Sequence, residues 1–98
     1  MSLPVVLRPE AGRDVEEVQN YLDAQQTGLG QAFLDRLHES LKQIGALPEL
    51  CGIVWRNVRA ARLRRFAYVV YYRPLDDRVE VLAVMHGSRD ESVWQTRE

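Results

Sequence analysis

Apolar and polar positions alternate most regularly between residues 62 and 89, where two strands are predicted. In residues 63–73 the period of two places Phe66, Tyr68, Val70 and Tyr72 on one face and Arg65, Ala67, Val69 and Tyr71 on the other, in a run rich in β-branched and aromatic residues. Residues 78–86 alternate in the same way, with Leu82, Val84 and His86 on one side and Val79, Val81, Ala83 and Met85 on the other. Between the runs, Pro74-Leu75-Asp76-Asp77 is turn chemistry, because Pro fixes φ and Asp caps its own backbone. An antiparallel hairpin at the centre of a sheet is expected.

Upstream the period changes. Ala11, Val15, Val18 and Leu22 recur at helical spacing behind Pro9, with Asp14, Glu16, Glu17 and Gln19 between them, so an amphipathic helix is predicted to about residue 24. Residues 25–30 contain two glycines and read as a loop. A second helix over residues 31–46 carries Phe33, Leu34, Leu37, Leu41 and Ile44 on one face and stops at Leu47-Pro48, with His38 on its exposed side. Helices joined this closely pack as an antiparallel hairpin. Residues 3–7, broken by Pro4, fit an edge strand, and Ile53, Val54, Trp55 and Val58 suggest one strand over residues 53–59. From Asp90 onward a short helix or tail is expected, with Trp94 packed back on the domain.

The resulting fold class is α+β in the order β-α-α-β-β-β: a small, mostly antiparallel sheet with a helical hairpin on one face and the opposite face open. Ninety-eight residues, 46% apolar and 28% charged, make one ordinary globular domain spanning 1–98. No apolar run is long enough to span a bilayer and no signal-peptide pattern stands at the start, so a cytoplasmic location is expected. The single cysteine, Cys51, forms no internal disulfide and has no ligand partner at a recognisable spacing, so neither a metal nor a cofactor is expected.

The net charge of −1 hides an asymmetry. Residues 1–50 hold eight acids against three arginines and Lys42, net −4; residues 51–98 hold nine arginines against six acids, net +3. Arginine makes bidentate contacts to carboxylate or phosphate and stacks on aromatic faces, so a polyanion or an acidic protein surface suits the second half. Arg56, Arg59, Arg62, Arg64, Arg65, Arg73 and Arg89 cluster around the predicted sheet.

Pro9-Glu10-Ala11, Asp14-Val15, Val18 and Tyr21-Leu22; Ala32-Phe33 and Leu37; Leu47-Pro48; the run from Arg65 to Arg73; and Val81-Leu82, Val84, His86, Arg89-Asp90 and Trp94 together resemble the ParE/RelE superfamily of toxins from bacterial type II toxin–antitoxin (plasmid stabilisation) modules. The likeness covers nearly the whole chain. It implies a toxin neutralised by a cognate antitoxin whose C-terminal segment folds on binding, in a toxin–antitoxin hetero-oligomer. Two mechanisms divide the superfamily. ParE-like members inhibit DNA gyrase without hydrolysis, and RelE-like members cleave mRNA on the ribosome.

RNA cleavage through the 2′-OH needs a general base, a general acid and cations on the phosphate. The resemblance implies that a RelE-like enzyme supplies these with sheet lysines and arginines and a C-terminal tyrosine. This sheet has no lysine, and the aromatic residue in the corresponding segment is Trp94, whose indole N–H cannot act as a base. A gyrase-directed, non-enzymatic toxin is therefore favoured. The alternatives are a ribosome-dependent mRNA endonuclease using His86, Arg65 and Arg89, and an inactive member that only binds its partner. Arg56, Arg59, Arg62, Arg64, Arg65, Tyr71, Arg73, Arg89 and Trp94 are the partner-binding candidates. Set against those roles are surface ion pairs for the arginines, a satisfied core-edge histidine for His86 and tail docking for Trp94.

Overall fold

The chain begins along an edge, with β1 (Val5–Leu7) running parallel to β5 (Val79–His86) and Val5 opposite Val79. Pro9, which needs no N–H donor at a first helical turn, starts α1 (Pro9–Gln25). In this computed structural model residues 2–97 are described; Met1 and Glu98, the two ends of the expected domain, lie outside the described residues.

The helical hairpin is tighter than the expected loop. α2 (Leu29–Ala46) starts after Gln26, Thr27 and Gly28, and Gly28 takes the left-handed conformation at φ 97°. Asp23 reaches from α1 to accept the Gly30 N–H at 2.8 Å, satisfying one of the free donors at the start of α2. A Cβ at residue 30 would stand 2.8 Å from that carboxylate and from the Gln19 carbonyl. The two helices approach this closely because residue 30 has no side chain.

The sheet has five strands in the order β1-β5-β4-β3-β2, and only the β1–β5 pair is parallel. The expected α+β class and central hairpin hold, with β4 (Tyr68–Pro74) in the middle. Two boundaries differ from expectation. The single strand expected at 53–59 is two, β2 (Ile53–Trp55) and β3 (Val58–Arg62), reversed at Arg56-Asn57 with Arg56 at φ 51°. Residues 63–67 lie outside β4 in a loop where Leu63 N–H bonds Tyr68 C=O and Arg65 sits at φ 70°.

Alternation along β5 also breaks. Tyr71 pairs with Ala83 but Tyr72 with Val81, so Leu82 is an extra residue, a β-bulge. Val79, Val81 and Val84 therefore pack toward the helices, whereas Leu82, Ala83 and Met85 pack on the other side. Leu82 does not share a face with Val84, and Val79 and Val81 do not share one with Ala83 and Met85.

The helix-side core contains Phe33, Leu37, Ile44, Val70 and Tyr72, with Phe33 meeting Phe66 and Tyr68 edge-on at 6.0 and 5.5 Å. The opposite face was expected to be open and is not. A short helix, α3 (Ser92–Gln95), lays Trp94 over Val58, Val69, Tyr71, Ala83 and Met85, and Trp94 is 1% exposed. Burying an indole of this size removes enough apolar area to hold a four-residue helix in place.

The segment after α3 is anchored too. Arg97 Nη1 and Nη2 donate to Asp14 Oδ2 and Oδ1 at 2.6 and 3.1 Å, while Arg8 donates to the Arg97 carbonyl at 2.7 Å. β1 ends opposite Val81, so beyond it the outer edge of β5 has no neighbouring strand. There the Val84 N–H is accepted by Asp14, and the Leu82 carbonyl accepts from Arg97. Its hydrogen bonds to the Asp14 carboxylate keep the Arg97 guanidinium protonated above its usual range.

Candidate partner-binding surfaces

The candidate arginines separate into engaged and exposed groups. Arg73 donates from Nε and Nη2 to Glu80 across the β4–β5 pair, at 2.9 and 2.7 Å. Arg59 Nη1 donates to the Cys51 and Glu49 carbonyls at 2.6 and 3.2 Å, fixing the segment between α2 and β2. Tyr72 Oη, on the same side, donates to the Pro48 carbonyl, and burial pushes its phenol well above the ordinary tyrosine range. Arg59 and Arg73 thus hold the fold.

Arg62, Arg64, Arg65 and Arg89 are exposed at one end of the sheet. Arg62 and Arg64 share a small cleft with Arg36 of α2, and a Cβ placed on Gly87 would lie 3.7 Å from the Arg62 guanidinium. Arg65 occupies left-handed backbone, a conformation that costs an arginine on the order of 1 kcal/mol relative to glycine. Such strain is held where the surrounding structure imposes it. Arg56 stands apart in the β2–β3 turn, its guanidinium 4.4 Å from the centre of the Trp55 ring.

Tyr71 and Trp94 are not exposed contacts. Their rings stack at 4.4 Å and 18°, Trp55 meets Trp94 edge-on at 5.6 Å, and Tyr71 is 8% exposed. Alternation correctly put Tyr71 on the face away from the helices, but Trp94 covers it. Burial, then the nearby Glu91 carboxylate, raises the Tyr71 phenol above its ordinary value. Trp94 Nε1 is buried without an acceptor in hydrogen-bond geometry among the described residues; it favours the ionised form of the stacked phenol without making a well-formed bond to it.

His86 and Arg89 line a cleft of about 370 Å³ between α1 and the unpaired part of β5, together with Asp14, Glu17, Tyr21 and Tyr68. His86 Nδ1 accepts from the Ser88 backbone N–H at 3.1 Å and lies 2.7 Å from Ser88 Oγ, so in the neutral ring the hydrogen belongs on Nε2. The ring meets Tyr68 edge-on at 5.5 Å. Arg65 is not among the residues lining this cleft. The set His86, Arg65 and Arg89 is therefore only partly brought together. No group of three or more potential metal ligands occurs among the described residues, and no helix there is long and apolar enough to cross a membrane.

Sequence reasoning missed the Asp14–Arg97 pair. Asp14 reads as one more carboxylate on a solvated helix face, and 83 positions separate it from its partner.

The overall fold is shared with a solved chain described as "Chromosomal ParDE TA system from P. aeruginosa". The two superpose with a TM-score of 0.77 over 87% of this chain and 96% of that one, at 12% sequence identity. A comparison with curated protein sequences gave no match. Residues 5–91 match the family model described as "ParE toxin of type II toxin-antitoxin system, parDE", and the chain belongs to this family.

Proposed function

We propose that this ParE-family toxin acts by binding DNA gyrase without hydrolytic chemistry and is neutralised by a cognate antitoxin. Family membership supports the toxin role, and the state of the alternative nuclease site supports the non-hydrolytic one. A histidine acting as general base needs a free ring lone pair facing the substrate. The Nδ1 lone pair of His86 is taken by Ser88, and the other nitrogen then carries hydrogen. Arg65 lies in another loop, and no lysine stands on the sheet to replace it.

Antitoxin binding is supported by the exposed arginines at the end of β3, in the β3–β4 loop and beyond β5, which suit an acidic segment ordered on contact. The test is purified toxin in a gyrase supercoiling assay, in parallel with primer extension on translated mRNA. Supercoiling is expected to stop, with His86→Ala retaining the inhibition. Codon-positioned cuts abolished by His86→Ala would instead assign the chain to the mRNA-cleaving branch.

A further inference from the structure

Arg8, Arg36, Arg73, Arg78 and Arg97 each hold a carboxylate. Arg62, Arg64, Arg65 and Arg89, exposed at one end of the sheet, make no ion pair among the described residues. The acids around them are already engaged. Glu39, in the cleft with Arg62 and Arg64, accepts from Arg36, Asp90 accepts the Ser92 N–H, and Glu91 lies by the Tyr71 phenol. The backbone brings the four arginines together. Arg62 ends β3 opposite Val69 of β4, and Val69 pairs with Met85 of β5. The Ala67 carbonyl accepts the Gly87 N–H at 2.8 Å, tying the loop that carries Arg64 and Arg65 to the segment that carries Arg89. Neighbouring strands lie about 4.8 Å apart, so three strand ends gather these cations within roughly 10 Å. Four like charges so placed repel one another, and a polyanion relieves that repulsion.

The surroundings of the patch select the polyanion. Among the described residues, none of the large apolar side chains left exposed falls in residues 58–73 or 86–97, so the patch offers no apolar anchor. Nor does a ring stand free among the arginines for unpaired bases to stack on. Phe66 and Tyr68 pack edge-on against Phe33, Tyr71 and Trp94 are buried, and the exposed Tyr21 belongs to the α1 wall of the neighbouring cleft. We infer that Arg62, Arg64, Arg65 and Arg89 grip the phosphate backbone of duplex DNA. A duplex carries one negative charge per about 1.7 Å of its axis, so a span of roughly 10 Å faces about six of them. Guanidinium groups meet phosphate oxygens two at a time. This contact deepens the proposed function and rests on it for the occasion on which DNA is met: gyrase holds a duplex, and a toxin with its own grip on that duplex is bound to enzyme and DNA together. The acidic antitoxin segment proposed for the same arginines covers them, so neutralisation and DNA contact exclude each other.

The test measures fluorescence anisotropy of a labelled duplex of mixed sequence, its single strand and a poly-glutamate chain of matching charge, each titrated with the purified toxin in the absence of gyrase. Four phosphate contacts give a slope of log affinity on log salt of about −3.6, a loss of about 150-fold between about 50 and 200 mM salt. The double variant Arg64→Gln, Arg89→Gln is expected to bind the duplex at least tenfold more weakly at the lower salt, with the slope reduced by about 1.8 and the thermal midpoint unchanged. Arg13→Gln, at an exposed position on α1, leaves duplex affinity unchanged. No duplex binding at the lower salt, or binding that the double variant leaves intact, overturns the proposal. So does tighter binding of the single strand, which makes unpaired bases the occupant, or of poly-glutamate, which makes it an acidic protein. Failure of the gyrase reading shows differently: supercoiling continues in the presence of a toxin that still binds the duplex through these arginines.

Discussion

Asp14 on α1 and Arg97 beyond α3 meet in a two-pronged ion pair, and the same carboxylate accepts the Val84 N–H. Helix, sheet edge and tail are joined at one residue. With the side chains only 10% and 18% exposed, removing one partner leaves the other charge poorly solvated. Asp14→Asn is therefore expected to cost about 2–3 kcal/mol in urea unfolding, toward the low end for a broken buried pair. Arg97→Met costs less, because the methionine keeps apolar contact. In both variants Trp94 fluorescence becomes more accessible to acrylamide. If the two losses simply add in the double variant, the pair carries no coupling and the anchor lies elsewhere.

The glycine at the helix crossing gives a second expectation. Gly30→Ala places a methyl 2.8 Å from the Asp23 carboxylate and the Gln19 carbonyl, so α1 and α2 must separate or Asp23 must swing away from the Gly30 N–H. A loss of about 1–3 kcal/mol is expected, against a gain of up to about 1 kcal/mol for this change inside an unconstrained helix. Asp23→Ala, which removes the cap alone, costs about 1 kcal/mol. Thermal unfolding of the two variants separates crowding from capping.

Arg65 separates stability from binding. At φ 70° a glycine is unstrained, so Arg65→Gly is expected to leave the thermal midpoint unchanged or raise it, by up to about 1 kcal/mol in stability. Affinity for an acidic antitoxin segment should fall in the same variant. A lowered midpoint with unchanged affinity would mean that Arg65 serves the loop and not the partner.

Three tyrosines set the alkaline limit. Tyr68, Tyr71 and Tyr72 all have phenols raised by burial, so the folded chain holds these protons more tightly than the unfolded one. Their contribution is complete below the unfolded value of about 10 and is lost as pH rises above it. The urea midpoint is expected to be level from pH 8 to 9.5 and to fall steeply beyond pH 10. Tyr72→Phe lowers the plateau by losing the bond to Pro48 and makes the alkaline fall shallower.

The helical hairpin was legible from its helical period, and the central β4–β5 pair from two runs rich in β-branched and aromatic residues on either side of Pro74-Leu75-Asp76-Asp77. The β5 bulge was not, since Val81, Leu82, Ala83 and Val84 are all apolar and an extra residue among them leaves no mark on the pattern. The β2–β3 turn was hidden because Arg56-Asn57 lacks glycine, although Asn57 was the available cue. Trp94 was expected to dock, but a four-residue helix has no period to show where. Of the candidate site, composition located the arginines, and only the contacts of Arg59 and Arg73 separated structural side chains from exposed ones.

The bulge at Leu82 also bears on insertions and deletions. Removing that one residue would restore strict alternation through β5 and leave Val79, Val81 and Val84 toward the helices and Ala83 and Met85 toward Trp94. Chains of this fold can thus differ in length by one at this position without any other side chain changing layer, and an alignment gap there is not a frameshift of the core.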